Sequence, residues 1–162
     1  MTDIALLFNP LTQSADIAAQ GGSLATDDGL MTAVIISLFT DARARDDDTL
    51  PHAGADRRGW WGDCFNADPN DRIGSRLWLL EREKLIPATA LKARDICNEA
   101  LAWLATEGIA SAVEVETAIA PVSAANPTGG LAIGVSIIRP DGPGRQRFDF
   151  VWDATARSLA IA

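Results

Sequence analysis

The sequence predicts an α+β fold: an N-terminal short strand and helix, a long ordered loop, two further helices, and a C-terminal three-stranded antiparallel meander packed on the helices. Three observations lead there. Apolar residues recur at spacings of three and four in three segments near 30–38, 77–83 and 89–106, they alternate at strand spacing in the last third, and these helical segments precede the C-terminal strands instead of interleaving with them. At 162 residues the chain fits one domain over 1–162 with length enough to bury a core.

Ile4 to Phe8 reads as a short strand closed by Asn9-Pro10, and residues 11–27, small and polar, suit a loop or a second short strand. Asp27 or Asp28 is placed to cap a helix whose stripe is Leu30, Val34 and Leu38 with Ala33 and Ile36. That pattern stops near Thr40. Ser75 is placed to cap a short helix through Leu77, Trp78, Leu80 and Glu83. Pro87 opens a longer helix, Thr89 to about Thr106, because proline costs nothing in a first turn. Ala93, Cys97, Ala100 and Leu104 share one of its faces beside Ile96 and Trp103, and Gly108 stands where a left-handed cap belongs. Beyond it, Ala112 to Ile119 alternates, with Val113, Val115 and Ile119 on one face and glutamates on the other. Pro127 to Gly130 is a turn, Leu131 to Ile138 a second strand ended by Arg139-Pro140-Asp141-Gly142, and Arg147 to Trp152 a third in which Phe148, Phe150 and Trp152 alternate.

The net charge of −8 disfavours nucleic acid as a partner, since phosphate recognition needs a basic surface. The acidity is concentrated: residues 1–75 hold 12 acids and 5 bases, residues 76–162 hold 10 acids and 9 bases. It either steers a basic partner or serves solubility. Two cysteines, Cys64 and Cys97, are too few for a disulfide framework and are expected as free thiols. The start shows no basic-then-apolar leader, and the longest apolar runs are about half of the ~20 residues a membrane span needs. The chain is therefore expected to fold in a reducing cytoplasm without membrane insertion.

No catalytic constellation emerges. His52 is the sole histidine, with no nucleophile elbow or cysteine signature to accompany it. Gly129-Gly130 is followed by no Gly-Lys-Ser/Thr, so no phosphate loop forms and no cofactor is expected. Asp46-Asp47-Asp48, His52, Asp56 and Asp63 match no calcium loop, and the Asp68 to Asp71 run places Arg72 at a ligand position. Structural turn residues are the better reading, and no metal is expected.

Residues 41–74 are a long aperiodic stretch, rich in Asp, Arg, Gly and Pro; in a compact domain that length signals function or disorder. Trp60 and Trp61 beside Arg57 and Arg58 argue for order, because disordered tracts are poor in such aromatics. The two indoles could simply plug the core, with the arginines paired to nearby aspartates. Tryptophan and arginine are also the types enriched at interface hot spots. Adjacent residues of an extended segment point apart, so one tryptophan is expected to anchor and the other, with an arginine, to face a partner. The candidate interface residues are Arg57, Arg58, Trp60, Trp61 and Asp63, with Phe150, Trp152 and Arg157 at the C-terminal end. The tail 154–162, small and apolar apart from Arg157, either packs on its own domain or adds to a neighbour as an arm.

These blocks carry a resemblance. DIAL at 3–6, LMTAVIISLFTDARA at 30–44, LPHAGADRRGWWGD at 50–63, GSRLWLLEREK at 74–84 and EALAWL at 99–104 resemble the Mu-like phage baseplate protein family, gene product 46 of that phage type. RRGWWGD and GSRLWLL are the specific ones. That family is in turn similar to sheath-initiator proteins of contractile tails. The resemblance implies a non-enzymatic virion subunit of the baseplate wedge region, in several copies, contacting other wedge proteins and the tail sheath or tube. The chain departs from the sheath initiators in its longer 41–74 loop and in having Glu107-Gly108-Ile109 where they carry Glu-Pro-Arg. Two alternatives are an envelope-active, lysozyme-like baseplate enzyme, for which no carboxylate pair stands out, and a soluble adaptor unrelated to virions.

Overall fold

The computed structural model describes residues 3–161 apart from 5, 10–13, 18, 21, 25, 28, 53, 55, 68–71, 123–128, 141–143 and 154–157. Six short strands precede the first helix: β1 (Asp3–Ile4), β2 (Leu6–Asn9), β3 (Ser14–Ile17), β4 (Ala19–Gln20), β5 (Ser23–Leu24) and β6 (Thr26–Asp27). They pair antiparallel as β2 with β3, β4 with β5, and β1 with β6, so the ends of the segment meet across the Asp3↔Asp27 pair. One strand, followed by a loop or a second short strand, was expected here. The segment is too rich in small residues to show a period, and its pairing is set by hairpin closure.

The first helix, α1 (Leu30–Phe39), starts from Gly29 at φ 79 with no side-chain cap; Asp27 belongs to β6 and Asp28 lies outside the described residues. Leu30, Val34 and Leu38 are buried as expected, whereas Ile36 is exposed. It follows Val34 by two residues, about 200° around the helix, so both cannot face inward. Thr32 and Ser37 fill the stripe instead. A 3-10 turn, Leu77–Leu80, stands in place of the short helix expected to reach Glu83. Arg76 holds its N-cap position without a side-chain cap, where Ser75 was expected; one residue earlier, the Ser75 Oγ accepts the Leu77 N–H at 3.2 Å while its hydroxyl donates to the Leu38 carbonyl, tying the turn to α1.

The long helix, α2 (Pro87–Thr106), has proline in its first turn and buries Ala90, Ala93, Cys97, Leu101 and Leu104. It ends at Gly108 (φ 70), whose N–H donates to Ala105 O at 3.1 Å. A four-stranded antiparallel sheet follows, from β7 (Ala112–Ala120), β8 (Gly130–Ile138), β9 (Arg145–Asp153) and β10 (Ser158–Ile161), in the order β10-β9-β8-β7. The meander β7-β8-β9 is the one expected. The fourth strand is the tail, folded back on its own sheet from Ser158↔Asp153 to Ile161↔Phe150, which occupies the outer hydrogen-bonding edge of β9.

The core lies between the helices and one sheet face. Leu131, Ile133, Val135 and Ile137 of β8 meet Val34, Leu38, Cys97, Leu101 and Leu104, each side chain worth about 1.5–3 kcal/mol when removed from water. Phe39 of α1 packs edge-on against Phe150 at 5.4 Å between ring centroids. The opposite sheet face carries ion pairs, Arg145–Glu114 at 2.6 Å and Arg147–Glu116 at 2.8 Å. Among the described residues no helix is long and apolar enough to cross a membrane.

Candidate protein-interaction site

The 41–74 loop is closed at its base by backbone bonds. Ala42 N–H donates to Ser75 O and Ser75 N–H to Thr40 O, both at 2.9 Å. Gly74 makes the closure: at φ 106 with a built Cβ only 2.4 Å from Thr40 O, no other residue fits. Inside the loop Ala44 N–H donates to Arg57 O at 2.9 Å, and the Trp78 indole N–H to Ala42 O at 2.8 Å.

Side chains then fasten this frame to the body. Arg76 donates to both Asp48 oxygens at 2.8 and 2.9 Å and to Glu99 of α2 at 2.7 Å, and Arg45 meets the same Glu99 at 2.7 Å. Burial penalises the Asp48 carboxylate, but the Arg76 hydrogen bonds and the Arg45 N–H outweigh it and hold its pKa below the ordinary 3.8. Arg57 donates to the carbonyls of Arg45 and Asp46. Arg58 is the central clamp. Its guanidinium binds Glu81 through two bonds of 2.8 and 3.1 Å, reaches Asp41 at 2.9 Å, and lies 4.3 Å over the Trp78 ring. Burial opposes the Arg58 charge, yet Glu81 and Asp41 more than offset it and raise its pKa. Arg58 is also the one non-glycine residue at positive φ among those described, 51°. That strained backbone is kept because the clamp over-determines it.

The clamp presents an aromatic cluster. Trp61 to Phe65 form a 3-10 turn, and the Trp60 indole lies against Gly62, where a Cβ would sit 2.2 Å from the ring. Trp61 is 74% exposed and touches Trp60 at 5.6 Å and Phe65, 77% exposed, edge-on at 6.0 Å. Asp63 on the same turn accepts the Ile73 N–H at 3.1 Å. Between cluster and body runs a half-open groove of about 400 Å³, lined by Leu38, Phe39, Thr40, Asp41, Gly59, Trp60, Trp61, Ser75, Leu77, Trp78, Glu81 and Trp152.

Of the residues singled out from sequence, Trp60, Trp61 and Asp63 stand together on the turn. Arg57 and Arg58 lie behind it, committed to internal acceptors. Phe150 and Trp152 are 1% and 8% exposed, so their rings belong to the core, Trp152 also reaching the groove wall; in β9 their alternation points them at the helices. Arg157 lies outside the described residues. Phe65 went unnoticed because nothing local marks it, although its place four residues after Trp61 brings the rings together. Cys64 is exposed and Cys97 buried, both free, and burial pushes the Cys97 thiol up to about 12. His52 Nδ1 sits 3.2 Å from the Arg82 guanidinium on the surface. Among the described residues no cluster of His, Cys, Asp and Glu could hold a metal ion.

Comparison with known proteins gives two relatives and one family. The chain is 53% identical over 115 residues to baseplate protein gp46 of Escherichia phage Mu, covering 71% of this chain and 76% of that protein. It is 35% identical over 147 residues to the Mu-like prophage FluMu protein gp46 of Haemophilus influenzae, covering 91% and 94%. No solved structure is significantly similar. The model of the family described as phage protein GP46 matches residues 30–144, from α1 through β8 to just before β9 and including the whole clamped loop. The chain belongs to the phage protein GP46 family.

Proposed function

We propose that this protein is a structural subunit of a contractile phage or prophage tail baseplate, wedge- or sheath-initiator-like, working by protein–protein assembly. The observation that carries the reading is its 53% identity with the Mu baseplate protein over most of the chain. The site supports the same class. Trp61 and Phe65 stand proud on a turn braced by Arg58, an arrangement expensive to solvate and useful only when covered. Together they expose roughly 300 Å² of aromatic surface, well under the ~800 Å² each partner of a standard interface buries. The patch is thus the anchor of a larger contact completed in the assembly with other baseplate subunits. The work is not catalytic. The loop carboxylates most suggestive of chemistry hold the frame: Asp48 on Arg76, Asp41 and Glu81 on Arg58, Asp63 on a backbone amide.

The test is a prophage carrying Trp61→Ala and Phe65→Ala together. Both side chains are exposed, so purified protein should keep its stability within about 0.5 kcal/mol while complete tails, counted by electron microscopy after induction, fall at least tenfold. Normal tails in the double variant would remove the loop from the assembly contacts.

A further inference from the structure

We infer that the groove beneath Trp60 and Trp61 receives an extended, apolar, proline-containing segment of the partner protein, whose carbonyls accept hydrogen bonds from tryptophan N–H groups; this rests on the reading of the loop as a contact surface and adds the chemistry of what it contacts. The chain has five tryptophans. Two spend their indole N–H inside the protein, Trp78 on the Ala42 carbonyl at 2.8 Å and Trp103 on the Ser37 hydroxyl at 3.1 Å. The other three, Trp60, Trp61 and Trp152, have no acceptor for theirs among the described residues, and all three line this one groove. For Trp60 and Trp61, 36% and 74% exposed, that is ordinary. For Trp152 it is not: the residue is 8% exposed, and a tryptophan so buried normally has its N–H paired. Its Nε1 still reaches solvent, and the groove is the opening that this residue lines.

The acceptors along the groove, in contrast, are largely supplied from within. Thr40 O accepts the Ser75 N–H and Ser75 O the Ala42 N–H, both at 2.9 Å, and Leu38 O accepts the Ser75 hydroxyl. Trp60 O accepts the Asp63 N–H at 3.1 Å and Trp78 O the Glu81 N–H at 3.2 Å. The Asp41 and Glu81 carboxylates bind Arg58 and have further partners besides. A segment entering the groove therefore finds donors for its carbonyls, whereas each N–H that it buries goes short of an acceptor. Proline fits that balance. It keeps the carbonyl, has no N–H, and holds the chain extended with no internal hydrogen bonds, so its carbonyls stay available. Its ring packs on indole faces, and extended proline segments dock in aromatic-lined grooves on these terms. At about 400 Å³ the groove takes side chains of such a segment and is too small for a helix of about 10 Å diameter.

The experiment titrates the full-length protein with a capped Pro-Leu-Pro-Pro-Leu-Pro peptide and follows the five tryptophan indole N–H signals by NMR. A counterpart peptide carries alanine in place of every proline. With the proline peptide the Trp60, Trp61 and Trp152 signals should shift saturably and downfield, while that of Trp103, whose N–H is held by Ser37 away from the groove, stays in place. The alanine peptide, flexible and carrying its N–H groups, should bind about tenfold more weakly. Trp61→Phe keeps an aromatic face at an exposed position but removes the N–H, and should weaken binding about three- to tenfold. Equal binding of the alanine peptide, undiminished binding by Trp61→Phe, or no saturable shift would each overturn the proposal. Concentration-dependent shifts without peptide, matched by dimer in sedimentation, would overturn it in favour of a second copy of this chain. Each of these outcomes is separate from tail counts in the Trp61→Ala, Phe65→Ala prophage, which alone decide whether the loop is a contact at all.

Discussion

Replacing Arg58 with alanine removes the piece that joins the loop to the body. The side chain is 23% exposed and its main partner Glu81 13%, so the pair is shielded and its loss leaves a carboxylate short of its donors. The two charge-assisted bonds to Glu81 contribute about 2 kcal/mol, the contact with the Trp78 face about 0.5–1, and the bond to Asp41, which is 40% exposed, at most about 0.5. Arg58→Ala should therefore cost about 3 kcal/mol in urea unfolding, lowering the melting temperature by roughly 6–12 °C for a domain of this size. Two companions sharpen the argument. Arg58→Lys keeps the charge but not the two-bond geometry and should lose about half as much. Arg58→Gly loses every contact yet relaxes the positive φ of 51°, so it should be about 1 kcal/mol more stable than Arg58→Ala. An Arg58→Ala protein within 1 kcal/mol of wild type, or a glycine variant no better than alanine, would refute the clamp.

Gly62→Ala should displace the Trp60 ring from its seat, costing about 1–3 kcal/mol and shifting tryptophan fluorescence without altering the far-ultraviolet dichroism. Asp48 has a depressed pKa, so its contribution is complete above the unfolded value of 3.8 and is lost as pH falls through the lower folded one. The stability gap between wild type and Asp48→Asn should hold constant above about pH 5 and close progressively below about pH 4. Cys97 is sealed in the core with its thiol near 12, whereas Cys64 is exposed, so a thiol reagent at pH 8 should label one cysteine in the native protein and both in denaturant.

Much of the architecture is local and was readable. Pro87 and Gly108 bracket α2 because each fits only one place at a helix end. The alternation of Val113 and Val115, and of Phe148, Phe150 and Trp152, states a strand and its inward face directly. The same alternation read alone cannot say whether an aromatic strand face meets a partner or its own helices, which is why Phe150 and Trp152 were candidates for an interface and are core. The tail was equally ambiguous: a four-residue strand with three apolar residues pairs with whichever edge is free, and that edge is β9 of the same chain.

The loop divides most clearly. By itself the sequence determined that RRGWWGD is the centre of the 41–74 stretch and that no α-helical or strand period runs through it, because composition and the absence of a period are local properties; the 3-10 turn Trp61–Phe65 leaves no such period to read. Only the tertiary structure decided which side chains face out. Arg58 turns inward because Asp41 and Glu81, 17 and 23 residues away, converge on it. Trp60 settles on Gly62, and Trp61 and Phe65 are left exposed because the 3-10 turn carries them past the body. Those directions follow from contacts distant in the chain, and no spacing within the loop encodes them.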